Sequence, residues 1–205
     1  MPLKAFAFNC TLKPSPEKSS TDKLLQEIFD ALGRHGVDCD AVRAVDFNIK
    51  PGVESDQGEG DDWPGLRARM LAADIVVIGT PIWLGQPSSV AKRIMERMDA
   101  FFGEKDSNER MPSYGKVAVV AVVGNEDGAH HVAAEMFQAL NDVGFTLASN
   151  AMTYWVGEAM GSVNYIDLGK TPKNTGEATR MMVDNAVHLA GLLKKQDYPG
   201  TKSGK

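Results

Sequence analysis

Three hydroxyl residues in a row, Ser19-Ser20-Thr21, stand between a polar loop and an amphipathic stretch. Helix-opening amides, the positive end of a helix dipole and hydroxyl donors together make a seat for a phosphate. Lys13 and Lys18 add positive charge to the same loop. The alternative is simpler: Ser20 or Thr21 caps the helix and does nothing else. A second group, Pro81-Ile82-Trp83-Leu84-Gly85-Gln86-Pro87, exposes an indole and two aliphatic side chains between prolines. Such a loop suits a flat ring better than a bare phosphate. A third, Gly124-Asn125-Glu126-Asp127-Gly128, has glycines that let backbone come close to a ligand and turn its amides inward. Glu126 and Asp127 are acid or metal-ligand candidates, but no second set of ligating residues joins them.

Other chemistry is weakly supported. No Gly-x-Gly-x-x-Gly or Gly-x-x-x-x-Gly-Lys-Ser/Thr follows the first apolar run, which disfavours a conventional dinucleotide site and a P-loop. Cys10 at the mouth of the first loop suggests a thiolate nucleophile of the Cys-x5-Arg kind, but Pro16 stands where the arginine should be. Cys10 therefore reads as a small packing residue. His130 and His131 are adjacent and cannot share a helix face. No Gly-x-Ser-x-Gly elbow supports a Ser/His/Asp triad. Trp83 and Trp155 each follow an apolar run and suit either a pocket wall or plain packing.

The elements that must carry these groups alternate. Leu3 to Asn9, Val37 to Val45, Ile75 to Ile78, Lys116 to Gly124 and Phe145 to Met152 read as strands. The short β-branched runs, Ile75-Val76-Val77-Ile78 above all, read as strands buried on both faces, the mark of a parallel sheet. Pro81 and Pro87 place the segment between them in a loop. Apolar stripes at Leu24, Leu25, Ile28 and Leu32, at Val90, Ile94 and Met98, and at Val132, Met136 and Leu140 mark helices. Pro64 suits a first helical turn, and Asn174 with Glu177 has the form of a helix-start box. Asn48 to Asp62, with Pro51, three glycines and five acids, reads as a functional flap or a solvated surface loop. The architecture that follows is α/β: a doubly wound, five-stranded parallel sheet with helices on both faces. In such sheets ligands bind at the carboxyl ends of the strands.

The 205 residues fit a single domain spanning 1–205, with a frayed tail over 196–205. A formal charge of −5 gives no reason to expect nucleic acid. No apolar stretch approaches the ~18 residues of a membrane span. The start of the chain lacks a secretory pattern, and two cysteines make no disulfide framework, so a cytoplasmic location is expected.

The chain resembles the flavodoxin-like NAD(P)H-dependent FMN reductases and quinone reductases. The match is carried by Cys10-Thr11-Leu12-Lys13 with Ser19-Ser20-Thr21, by Gly79-Thr80-Pro81-Ile82-Trp83-Leu84-Gly85 with Ser88-Ser89 and Lys92, and by Gly124-Asn125-Glu126-Asp127-Gly128-Ala129. It spans Lys4 to Leu193. By that resemblance Thr11, Lys13 and Ser19 to Thr21 hold the FMN phosphate, Pro81 to Gly85 meet the ribityl chain and ring, and Gly124 to Gly128 meet the ring's polar edge. Many relatives have Gly-Ser-Leu-Arg where this chain has Cys10 to Lys13, so a point charge replaces a bidentate fork. The resemblance implies an enzyme that moves hydride from NAD(P)H through FMN to a small acceptor: a quinone, flavin, nitro or azo compound. Trp155, Met160 and Tyr165 are expected to shape the acceptor side. Gly157 to Thr171 is expected to be a lid or subunit contact, and the assembly a homodimer or homotetramer. The rival readings are a flavodoxin-type electron carrier, which the modest charge disfavours, and an effector-binding protein without turnover.

Overall fold

The computed structural model describes residues 2–201. Chain order is β1 (Lys4–Asn9), α1 (Ser20–Gly33), β2 (Asp38–Arg43), α2 (Trp63–Leu71), β3 (Ile75–Trp83), β4 (Gln86–Pro87), α3 (Ser89–Arg97), β5 (Val117–Gly124), α4 (Ala129–Asp142), β6 (Thr146–Val156) and α5 (Lys173–Leu193). Five strands form a parallel sheet in the order β2-β1-β3-β5-β6, and the two-residue β4 pairs back on β3. This is the expected doubly wound, five-stranded sheet.

Side-chain alternation builds one core on each face. Phe6 and Phe8 join Val76, Ile78 and the inner faces of α2, α3 and α4. Ala5 and Ala7 join Val77, Val119 and the inner faces of α1 and α5. β3 and β5 are central, and Ile75 to Ile78 of the first and Val117 to Val123 of the second are buried on both sides. Each fully buried Val or Ile contributes about 1.5–3 kcal/mol of transfer free energy.

The third strand is longer than expected. It continues through Pro81 to Trp83, and Pro81 stands opposite Val123 of β5. The backbone groups of successive strand residues point alternately to the two neighbours. Gly79 O accepts from Cys10 N on the β1 side, so Pro81 also faces that side, where β1 has already ended. Its missing N–H breaks no ladder bond. Ile82 and Trp83 then pair with Pro87 and Gln86 as a tight hairpin rather than a loop.

The acidic stretch Asn48 to Asp62 is a largely exposed surface loop, as expected, but it is pinned from beneath by a buried clamp. Arg97 reaches from α3 into it, and all five of its N–H donors are taken by Lys50 O, Glu54 O and the Asp61 carboxylate. Both side chains of this ion pair are fully excluded from solvent. Asp61 also accepts from the amides of Lys50, Gln57 and Trp63.

Two further differences are local. α5 starts at Lys173 with Pro172 at the cap position, so the Asn174 and Glu177 box does not form. β6 carries a register shift against β5 between Ala118 and Val120, with Asn150 in left-handed backbone. The tail expected over 196–205 is anchored at Tyr198, whose hydroxyl meets Thr146 Oγ1 and whose ring stacks edgewise on Tyr114. Residues 202–205 lie outside the described residues.

Candidate functional site

The loop from Cys10 to Ser19 is fixed by short-range and cross-strand bonds. Asn9 Oδ1 accepts from Thr11 N, and Asn9 Nδ2 donates to Asp22. Arg43, at the end of β2, donates to the carbonyls of Lys13, Pro14 and Glu17. Ser15 donates to Asp46 through both its amide and its hydroxyl, and those bonds hold the Asp46 carboxyl below the usual carboxylate range. Ser19 is the N-cap of α1, accepting from Asp22 N at 3.2 Å. The amides of Ser20 and Thr21 precede the first intrahelical bond and stay available. Capping and a phosphate seat are therefore compatible: Ser19 takes the first role and leaves the next two residues for the second.

The other strand ends are stitched to this loop. Ser88 N donates to Thr80 Oγ1, Ser88 Oγ donates to Cys10 O, and the same oxygen caps α3 by accepting from Ala91 N. Glu126 accepts from Leu84 N at 3.0 Å, joining the β5–α4 turn to the hairpin. Asn125 Nδ2 donates to Gly161 O, and Asn125 O accepts from Met160 N, joining the same turn to the segment after β6.

A cavity of about 670 Å³, part of it open to solvent, lies where these ends meet. Its walls include Thr11, Lys13, Ser19, Ser20, Thr21, Pro81, Ile82, Trp83, Gly124, Asn125, Glu126, Trp155 and Tyr165, all expected from the sequence. Leu12, Val123 and Asn164 also line it and were not expected. Leu12 sits between two expected residues, and Val123 precedes Gly124. Asn164 gives no signal in sequence, because only the folding of the segment after β6 brings it there.

Five expected residues lie outside the walls. Leu84 and Gly85 form the hairpin tip, next to the lining residue Trp83 but not in the wall, Leu84 being 91% exposed. Asp127 and Gly128 turn into α4; a Cβ on Gly128 would stand 2.9 Å from Gly85 Cα, so this glycine serves close backbone contact. Met160 is on the surface. Tyr165 lines the cavity only with its ring, which packs against Trp155 at 5.4 Å between centroids. Its hydroxyl points inward to Glu27, and burial, then that carboxylate, push its ionisation well up.

The segment from Gly157 to Thr171 is clasped to α1. Ser20 Oγ accepts from Ile166 N, Lys23 Nζ donates to the carbonyls of Tyr165 and Leu168, and Glu27 accepts from Tyr165 and Thr171 hydroxyls. Cys10 is fully buried, and desolvation raises its thiol far above the ordinary value. It packs, as expected, and is no nucleophile. Among the described residues no group of His, Cys, Asp and Glu is arranged to hold a metal ion.

The lining is mixed in character. Lys13 and the start of α1 contribute positive charge, Trp83 and Trp155 contribute indoles, and Glu126 contributes an acid already engaged by Leu84 N. Residues 3–160 match the family described as NADPH-dependent FMN reductase. The chain belongs to that family. Its fold is flavodoxin-like: a flavodoxin from the domain Archaea superposes with a TM-score of 0.56 at 13% identity, over 91% of this chain and 99% of that one. An 8-demethyl-8-aminoriboflavin-5'-phosphate synthase from Streptomyces davaonensis is 34% identical over 209 residues, covering 97% of this chain and 81% of that protein. The crystal structure of RosB with bound 8-demethyl-8-formylriboflavin-5'-phosphate has a TM-score of 0.89 at 34% identity, over 98% of this chain and 83% of that one. A protein named divalent metal cation transporter MntH, from Mycobacterium bovis, is 39% identical over 199 residues. The chain spans only 29% of that protein's length. Among the described residues no helix is long and apolar enough to cross a membrane.

Proposed function

We propose that this cavity is the FMN seat of a reductase that passes electrons from NADPH to a small acceptor such as a quinone. The observation that carries the reading is the make-up of the cavity wall, which brings a lysine and a helix start together with apolar and aromatic side chains. An anionic tail and a flat ring on one ligand match that combination. The amides of Ser20 and Thr21, the hydroxyls of Thr11 and Thr21, and Lys13 hold the phosphate. Pro81 and Ile82 meet the ribityl chain, and Trp83 and Trp155 wall the ring. The backbone of Gly124 to Glu126 faces the ring's polar edge, while the Glu126 carboxylate is engaged by Leu84. When bound, FMN supplies the two-electron chemistry. The protein supplies orientation, fixed donors and partial exclusion of water.

Purified protein is expected to show the oxidised-flavin absorbance bands after FMN is added, and to oxidise NADPH with a simple quinone without a partner reductase. Flavin binding without that turnover would favour the electron carrier. A second reading comes from RosB and the Streptomyces synthase: the flavin phosphate is the substrate, changed at its ring. Mass spectrometry of the flavin released after turnover separates the two, since a cofactor comes back unaltered.

A further inference from the structure

Two exposed side chains next to residues of the cavity wall, Leu84 after Trp83 and Met160 bonded to Asn125, serve nothing in the fold. Leu84 is 91% exposed and Met160 is 88% exposed. Both have left-handed backbone, with φ of 52° and 61°, where a bulky side chain crowds its own main chain. For Leu84 the cause is visible. Trp83 and Gln86 pair across a two-residue turn, and such a turn needs positive φ at both central residues, ideally Asn-Gly. Gly85, at φ 73°, meets that need freely. Leu84 meets it against its own preference and gains no burial in return.

Both tips are nevertheless held in place by neighbouring residues of a single turn. Leu84 N donates to Glu126 Oε1 at 3.0 Å, and Met160 N donates to Asn125 O at 2.8 Å. They follow β3 and β6, the strands on the two sides of β5, so they stand on opposite flanks of the turn that holds them. Strained residues fixed by their surroundings are concentrated at ligand clamps. Charge narrows what such a clamp accepts. Glu126, with Asp127 and Glu158 exposed nearby in sequence on the same two turns, makes this end acidic, whereas Lys13 lies with the α1 start.

We propose that Leu84 and Met160 are the substrate-side jaws of the site, positioned by Glu126 and Asn125, and that they select a flat uncharged ring over an anionic one. The inference rests on the FMN seat proposed above. It gives each tip a contact that compensates for its exposure, and it makes Glu126 a positioning residue.

The test uses FMN-loaded wild type, Leu84→Asn, Glu126→Ala and Glu126→Gln. For each, the FMN dissociation constant, the melting midpoint, and KM and kcat for menadione and for a sulfonated anthraquinone are measured. Leu84→Asn should raise the melting midpoint, because asparagine suits the turn, and raise KM for menadione ~10-fold at nearly constant kcat. Glu126→Ala should raise that KM as well. Glu126→Gln keeps an oxygen for Leu84 N, so it should restore the menadione KM while lowering the KM for the sulfonated ring. A stabilised Leu84→Asn with unchanged KM would overturn the proposal, leaving Leu84 a turn residue only. So would an unchanged KM with loss of a dimer in sedimentation, which would assign the tips to a second copy of the chain. Wild type that binds no FMN at all would overturn the seat itself, a distinct failure.

Discussion

Arg97 and Asp61 hold a loop that the sequence alone leaves open. Burial opposes the charge on Asp61, but the Arg97 guanidinium and three backbone amides outweigh it and hold the carboxyl far below its ordinary range. A carboxyl lowered on folding contributes stability that is complete above its unfolded value, near 3.9, and is lost as pH falls toward the folded value. Asp61→Asn leaves a buried guanidinium without its counter-charge and should destabilise the protein by about 3–5 kcal/mol at pH 7. The gap between variant and wild type in urea midpoint should narrow as pH is taken below 4. A gap that stays constant would show that Asp61 is not the charged partner. The two thiols give a second check at this scale. Cys10 is shielded completely, and burial with the nearby Asp38 charge pushes the Cys39 thiol up to about 11. Neither should react quickly with a thiol reagent at pH 8 until the chain is unfolded, Cys10 because it is buried and Cys39, only half-buried, because its thiol is raised; a fast first equivalent would contradict one of the two.

The β3–β4 hairpin, the β5–α4 turn and the segment after β6 act as one assembly at the mouth of the cavity. Gly128→Ala places a methyl 2.9 Å from Gly85 Cα at a position with φ of 122°. It should destabilise by more than about 1 kcal/mol and weaken FMN binding, read by urea titration and flavin fluorescence. Lys23→Ala removes both carbonyl contacts of the α1 clasp, and amides near Tyr165 to Leu168 should then exchange faster with deuterium while those of β5 do not change. Uniform exchange in both would mean the clasp is not a separable unit. The hairpin also shows where reading the sequence stops. Pro81 and Pro87 argue for a loop when read in sequence, yet a proline is tolerated wherever the neighbouring strand has already ended. Which neighbour ends first is a property of the sheet, invisible in one segment.

Across the whole molecule, the sheet and its helices were legible because buried β-branched runs and apolar stripes have different periods. The cavity was legible for a related reason. Strand order puts the ends of β1, β3 and β5 side by side, so residues far apart in the chain converge whenever the topology is known. What remained hidden depends on tertiary context: the Arg97 clamp, the inward-facing Tyr165 hydroxyl, and Asn164. Leu84 and Met160 belong to the same class, since exposure and positive φ leave no mark on composition. The central claim is that the start of α1 with Lys13 receives a phosphate while the indoles receive a ring. Titrating the flavin-free protein with FMN and with riboflavin tests it most directly, because the ring is common and only the phosphate differs. Binding of FMN should be at least ~100-fold tighter, equivalent to about 2.7 kcal/mol, and Lys13→Ala should reduce that preference without affecting riboflavin. Equal affinity for the two flavins would contradict the assignment of the helix start as the phosphate seat.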